Sequence, residues 1–290
     1  MSKAVIIGGG AAGYFTAINA KENNPELDIT ILEKGKDVLQ KVKISGGGRC
    51  NVTHACFTPK ELIEFYPRGK KELLGPFHQF MTGDTFEWFE NKGVPLKIEG
   101  DNRVFPEANT SQAIIDCFQN AVDKLGVKVF TNCGVNAVYQ QGKQWVINTK
   151  NKDFIADKLV VAAGSSKKVW ELCKTLDHHI IEPVPSLFTF NIKDSRLVDL
   201  LGTSVPDATV KIIGTKLEAS GPLLITHWGM SGPAVLKLSA FGARILADKN
   251  YQYNIEVNWL SKSSQKVLNI LLNLKKKEPR KTVILKSPFS

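Results

Sequence analysis

The 290-residue chain is 43% hydrophobic, enough for packed cores in one large domain or two, so disorder is not its default. Its net charge of +10 is concentrated at the end, where the last thirty residues carry eight lysines and arginines against one glutamate, so a nucleic-acid surface spread over the main body is not expected. No apolar run approaches the ~20 residues that span a bilayer, no signal peptide precedes the first apolar stretch, and five scattered cysteines lack CxxC or metal-ligand spacing; the expectation is a cytoplasmic protein without membrane or metal.

Residues 4–7 (AVII) are apolar and β-branched, as a buried parallel strand requires. Gly8, Gly10 and Gly13 then form GxGxxG, and Ala11 and Ala12 open a helix. Ala17 and Ala20 continue a small-residue face, and Asn23-Asn24-Pro25 ends that helix, because proline cannot extend it. Residues 28–32 (DITIL) are the second strand, with Glu33 and Lys34 at its end. Gly8 allows a tight turn, Gly10 lets a pyrophosphate approach the backbone, and Gly13 lets helix and strand pack closely. The helix start offers unpaired N–H groups and a positive dipole end to phosphates. Glu33, twenty residues after Gly13, is placed to accept both ribose hydroxyls of an adenosine. The motif alone is weak; its strand, helix and acid together specify a dinucleotide. A plain NAD enzyme usually continues in regular strand–helix units. Here a charged, glycine-rich segment follows instead, which favours FAD.

That segment holds Ser45, Gly46, Gly47, Gly48, Arg49, Cys50 and Asn51 after an apolar, strand-like run at 42–44. A loop of three glycines can approach a planar ring or a phosphate without steric conflict, and its N–H groups can donate to the pyrophosphate or ribityl side. Arg49 adds charge for phosphate or a reduced flavin, and Asn51 can donate and accept near the ring edge. Cys50 has no partner cysteine two residues away and reads as a small buried residue rather than a redox thiol. Residues 111–125 form a helix capped by Ser111, with Ile114, Ile115, Phe118, Val122 and Leu125 on one face and Gly126 as its stop. A strand (VKVFTN), a β-meander turning at Gly142 and a return strand ending at Ala162-Ala163-Gly164 complete the unit. After the proline-rich 182–186, short alternating strands suggest an antiparallel barrel or sandwich. One helix opens there at Ser231-Gly232-Pro233 with Ser231 as cap, and another covers 264–277.

Four stretches, KVKISGGGRCNVTH (41–54), RVFPEANTSQAI (103–114), KLVVAAG (158–164) and THWGMSGPAVLKLS (226–239), resemble in order the signature blocks of the BaiN-like NAD(P)/FAD-dependent oxidoreductases, also labelled aminoacetone-oxidase-like FAD-binding flavoproteins. The resemblance covers nearly the whole chain. It implies a Rossmann-like FAD-binding domain with parallel sheet and β-meander (1–184). It also implies an inserted, mainly antiparallel β domain with a small helical portion on the substrate side (185–290). Val135 falls where this class clamps adenine through the backbone. Ala162-Ala163-Gly164 replaces the family's A-T-G, which keeps backbone contact to the cofactor but loses a threonine hydroxyl. Candidate catalytic residues are His227, beside a helix start where an anion or the flavin O2 edge would sit, Arg103 for a substrate carbonyl or carboxylate, and Asn51. His54 is a weaker candidate, and His178-His179 read as a solvated pair.

The implied reaction is hydride transfer between a small organic substrate and FAD. Enone reductases and amino-ketone oxidases both occur under this resemblance. No second GxGxxG is present, so NAD(P)H, if used, docks transiently. The rival is a flavin-dependent RNA-modifying or nucleic-acid-binding protein using the basic end; lysines at 275–281 without interleaved aromatics disfavour it, and no nucleic-acid partner is expected. No sequence feature sets an oligomeric state. Flavoproteins with this beginning usually return to the FAD domain through a glycine–acid block. Nothing after residue 164 resembles one, so the chain is expected to lack a C-terminal part. It would then bind FAD weakly and turn over slowly, or act as a non-catalytic fragment.

Overall fold

The first apolar run becomes an inner strand of a parallel sheet in the computed structural model, which describes residues 1–282. β1 (Lys3–Ile7), α1 (Ala11–Asn23) and β2 (Asp28–Leu32) come first. α2 (Gln40–Gly48), β3 (Thr53–His54), α3 (Pro59–Leu62), a 3-10 turn (Ile63–Phe65), α4 (Lys70–Phe77) and α5 (Thr82–Glu90) follow. Then come β4 (Leu96–Ile98), β5 (Arg103–Pro106), α6 (Ser111–Lys124) and β6 (Lys128–Phe130). β7 (Val135–Gln141), β8 (Gln144–Thr149) and β9 (Asp153–Ala156) form the antiparallel meander, and β10 (Lys158–Val161) and α7 (Lys167–Lys174) finish a unit spanning Met1–Ile181.

The parallel sheet runs β10-β1-β2-β6. Successive strand side chains point to opposite faces, so both faces of β1 and β2 bury apolar groups. Ile6, Ile29 and Ile31 pack with Tyr14, Ala17 and Ile18 of α1 and Ile114, Phe118 and Val122 of α6. Val5, Ile7 and Leu32 pack with Val135, Val138, Ile147 and Ala156 of the meander. Truncating one of the buried isoleucines or Leu32 to alanine costs about 2–5 kcal/mol.

Two local expectations are corrected here. The apolar run at 42–44 is helical, not strand-like. Leu39 and Val42, three residues apart, are buried together while Ile44 is 72% exposed; a strand would have put Val42 and Ile44 on one face. The cap of α6 is Thr110, whose hydroxyl accepts from the Gln112 N–H at 3.3 Å, and not Ser111. Ser111 is buried as the first helical residue and donates to the Lys43 carbonyl at 2.9 Å, tying α6 to α2. Gly126 does follow the helix, with φ of 68°.

The second unit, from Glu182 onward, holds β11 (Phe190–Asn191), a 3-10 turn (Ser195–Leu200), β12 (Ser204–Ile212), β13 (Glu218–Thr226), β14 (Gly229–Ser231), α8 (Pro233–Phe241), α9 (Ala243–Asp248), β15 (Ile255–Asn258) and α10 (Ser264–Lys277). Among the described residues its strands form one five-stranded antiparallel sheet, ordered β11-β14-β13-β12-β15, rather than a closed barrel or a sandwich. Helix α8 supplies the cover a second sheet would have given: Ala234, Val235 and Leu238 pack on Val210, Leu223 and Ile225. Ser231 does not cap α8. It ends β14 and its Oγ accepts from the Thr189 hydroxyl at 3.2 Å, while Gly232, with φ of 98°, is the cap and Pro233 takes the first helical position. Ser263 caps α10, accepting from the Lys266 N–H at 3.4 Å. That helix buries none of its residues, and Leu268 and Leu272 are each 48% exposed.

The fold class is therefore the expected one, a Rossmann-like parallel sheet with its meander, accompanied by a mainly antiparallel β unit with helices. Among the described residues no helix is long and apolar enough to cross a membrane.

Candidate functional site

The three motif glycines differ in what surrounds them. A Cβ on Gly8, whose φ is 119°, would lie 2.5 Å from the Ala162 carbonyl oxygen of the returning chain, and one on Gly13 would lie 2.0 Å from the Gly8 oxygen. Both must be glycine for the protein's own packing. A Cβ on Gly10 would meet nothing within 4 Å. The space over Gly10 is thus open at the start of α1, which has no side-chain cap and no acidic residue in its first turn. Uncapped N–H groups at Ala11, Ala12 and Gly13 with a positive dipole end fit a pyrophosphate.

Glu33 is held at the rim by two backbone donors, Gly9 to Oε2 at 2.8 Å and Gly35 to Oε1 at 2.7 Å. Each carboxylate oxygen keeps a second lone pair for a ribose hydroxyl. The chain entering the meander runs beside it: Cys133 N–H donates to the Glu33 carbonyl and Asn132 N–H to the Gly35 carbonyl, both at 2.8 Å. Buried Val135 and exposed Lys34 therefore join Glu33 at one edge. On the other side, Ala162 N–H donates to the Ile7 carbonyl at 2.8 Å, carrying Ala163 and Gly164 past the β1 end. Sequence reasoning missed Lys41. Its Nζ donates to Ser165 Oγ at 2.6 Å, beside Gly164, because Leu39 N–H bonds the Gly9 carbonyl at 2.8 Å and starts α2 next to the glycine turn. A lysine in a charged stretch carries no local signal of that placement.

The second glycine run leaves helical geometry at Ser45, and Gly46, Gly47 and Gly48 follow at φ of 57°, 68° and 85°. The Cys50 N–H closes the turn on the Ser45 carbonyl at 3.0 Å. A Cβ on Gly46 would lie 2.7 Å from Asn51 N and 2.9 Å from the Phe105 ring, whereas Gly47 and Gly48 face open space. Successive left-handed residues gather N–H groups into a concave anion-binding surface. Cys50 is buried, and burial pushes its thiol up, with a Ser45 hydrogen bond pulling weakly the other way. That fits the inert reading of Cys50.

Arg49 and Arg103 are both engaged within the protein. Arg49 donates to Glu99 Oε1 at 2.6 Å and Asn109 Oδ1 at 3.2 Å, with its guanidinium 3.9 Å from the Phe105 ring centroid. Arg103 pairs with Asp101 at 2.7 Å and Glu99 at 3.4 Å. The Arg103 backbone N–H, with the guanidinium beside it, holds the Asp101 carboxyl below its usual range. Asn51, its amide oriented for hydrogen bonding, donates to the carbonyls of Thr53 at 3.0 Å and Val104 at 3.2 Å, stapling β3 to β5. His54 packs on Phe65 at 4.4 Å and lines a cavity that lies beside this loop. His227 lies in the second unit. It is an exposed residue of the two-residue turn between β13 and β14, packed on Trp228 at 4.4 Å, and not at a helix start. Among the described residues no His, Cys, Asp or Glu cluster could hold a metal ion.

A family model described as HI0933-like protein Rossmann domain matches residues 2–240. The 3-dehydro-bile acid delta(4,6)-reductase of Clostridium scindens is 26% identical over 82% of this chain and 60% of its own length. The ribosomal RNA dihydrouridine synthase of Haemophilus influenzae is 26% identical over 91% of this chain and 69% of its own. The chain thus spans roughly two thirds of these relatives. Among solved structures, Thermovibrio ammonificans THI4 overlaps 60% of this chain and 62% of its own, with 13% identity and a TM-score of 0.40.

Proposed function

Starting from the fact that this chain belongs to the HI0933-like family, we propose that it is a FAD-dependent oxidoreductase that reduces a carbon–carbon double bond conjugated to a carbonyl. The observation that carries the cofactor is the open space over Gly10 at an uncapped helix start, with Glu33 fixed at the end of the next strand. Bound FAD would supply the hydride at N5. The N–H groups of Ala11, Ala12 and Gly13 hold the pyrophosphate, Glu33 the ribose, and the backbone at Val135 the adenine. Lys41 and the N–H groups of Gly47 and Gly48 balance negative charge nearer the ring. Ala162, Ala163 and Gly164 approach the cofactor by backbone alone. Arg103 is the candidate for the substrate carbonyl, exchanging Asp101 for it. NAD(P)H serves as a transient donor, and the working compartment is a reducing cytosol.

The substrate class comes from the relatives. A bile-acid delta(4,6)-reductase and a dihydrouridine synthase both name the saturation of a double bond conjugated to a carbonyl, in a steroid ketone and in a uracil ring. The second name favours RNA as a second reading of the substrate. Purified protein incubated with FAD and desalted should keep a flavin absorbance band. Anaerobic NADH or NADPH should bleach it, and an enone should restore it. A colourless protein after FAD loading would defeat the cofactor reading, and restoration by uridine-containing RNA alone would select the second substrate.

A further inference from the structure

Immediately after Asn51 the chain turns away from the glycine loop and walls a cavity of about 370 Å³. That volume lies in the usual range for a small-molecule site. Its eleven lining residues include no Asp, Glu, Lys or Arg. Four are aromatic or imidazole rings already paired face to edge or tilted: His54 with Phe65 at 4.4 Å, and Tyr66 with Phe77 at 5.5 Å. Phe80 lines it too and rests on Phe15 at 5.3 Å. Phe65 is 57% exposed, and Tyr66 and Phe80 are also exposed, so the fold leaves ring surface uncovered at this place.

The polar groups are few and sorted. Thr82 donates to the His54 carbonyl at 3.0 Å and Thr85 to the Met81 carbonyl at 2.8 Å, so their hydroxyls are satisfied by backbone. No hydrogen bond engages the His54 imidazole or the Tyr66 phenol among the described residues. His54 is also firmly placed: β3 pairs with β5 at His54 and Arg103, and Thr82 fixes its backbone. A phosphorylated or carboxylate ligand would find no cation in the lining, and burying its charge unpaired is costly. A neutral ring system would cover the exposed rings and leave one oxygen to be recognised.

We propose that this cavity binds a neutral, apolar, ring-bearing molecule with a carbonyl oxygen, packed on Phe65, Phe77 and Phe80 and hydrogen-bonded by His54. Calling that molecule the substrate rests on the oxidoreductase reading; the site itself does not.

The test is calorimetric titration of the full chain, with and without FAD, using 4-androstene-3,17-dione as the probe. Wild type should bind it. Phe65→Ala, and Thr85→Trp, which fills the cavity from a separate wall, should each weaken binding by about tenfold or more, as expected when a ring contact is lost. His54→Ala should weaken it similarly and His54→Gln, which keeps a donor, should recover part. The carbonyl-free hydrocarbon 5α-androstane should bind wild type and His54→Ala alike. Thermal melts identify any variant that has lost its fold. No binding by wild type, wild-type affinity in folded Phe65→Ala and Thr85→Trp, or displacement of the dione by oligouridylate would each overturn the proposal. Flavin retention, read separately by absorbance, distinguishes the two failures. Dione binding without retained flavin would sink the oxidoreductase reading and leave the cavity. Retained flavin with variants indifferent to the dione would do the reverse.

Discussion

The two glycine runs look alike in sequence and differ in what excludes a side chain. At 8–13 the constraint is mostly internal: Gly8 and Gly13 are squeezed by the chain's own carbonyls, and Gly10 alone opens outward. At 46–48 the proportion reverses. Gly46 alone is squeezed, by Asn51 and Phe105, while Gly47 and Gly48 are open and require glycine only for their left-handed backbone. A glycine-rich motif is therefore a mixture of packing positions and ligand positions, and substitution can separate them.

The largest effect should come from Gly13→Val, which places atoms where the Gly8 carbonyl already is. Overpacking and backbone displacement at such a site cost about 3 kcal/mol or more, and loss of the cooperative melt is the expected readout. A variant melting like wild type would show that α1 and β1 are looser than described. Gly10→Val should keep the melt and lose the flavin, since its side chain enters only the space assigned to pyrophosphate. Yellow protein from that variant would end the comparison between packing and ligand glycines. Glu33→Ala should raise the FAD dissociation constant by an amount equivalent to about 1.5–3 kcal/mol, typical of hydrogen bonds to a charged group. Loss of stability without loss of affinity would mean that Glu33 serves only the Gly9 and Gly35 amides.

Smaller again is Gly47→Ala. With no steric neighbour, its cost is the left-handed backbone, about 1 kcal/mol, measured as a shift in the melt of the flavin-free protein. A larger shift would place unseen packing against the second run. Cys50→Ser should be the mildest, leaving turnover at the wild-type level and the melt slightly lowered by a buried hydroxyl. Abolished turnover with flavin still bound would make that thiol a chemical participant.

Much of the first unit was legible because its signals are local. The strands at 3–7 and 28–32, the helix at 111–124, its glycine stop and the acid at 33 are each declared within about twenty residues by periodicity, capping and spacing. Where two local rules competed, packing chose. Ser111 could cap, but Thr110 beside it took the extended backbone and freed Ser111 to reach Lys43. Val42 and Ile44 are β-branched, yet the burial of Leu39 and Val42 on one side wound this stretch into a helix. The barrel or sandwich expected after residue 186 failed for a related reason: Gly232 and Pro233 turn the chain into a helix that covers the sheet.

By itself, the sequence determined the glycine turn at the end of the first strand, the helix that opens after it and the acid at the end of the second strand, because all three are set by neighbours along the chain. Only the tertiary structure decided which charges remain available to a ligand. Arg49 stands fifty residues from Glu99, Lys41 stands 124 residues from Ser165, and the cavity beside His54 is assembled from segments as far along as Thr85. Ion pairs and cavities form between segments that meet only when the chain returns on itself, so no window of sequence carries them, and residue type alone cannot tell a cation that awaits a phosphate from one already answered by a carboxylate.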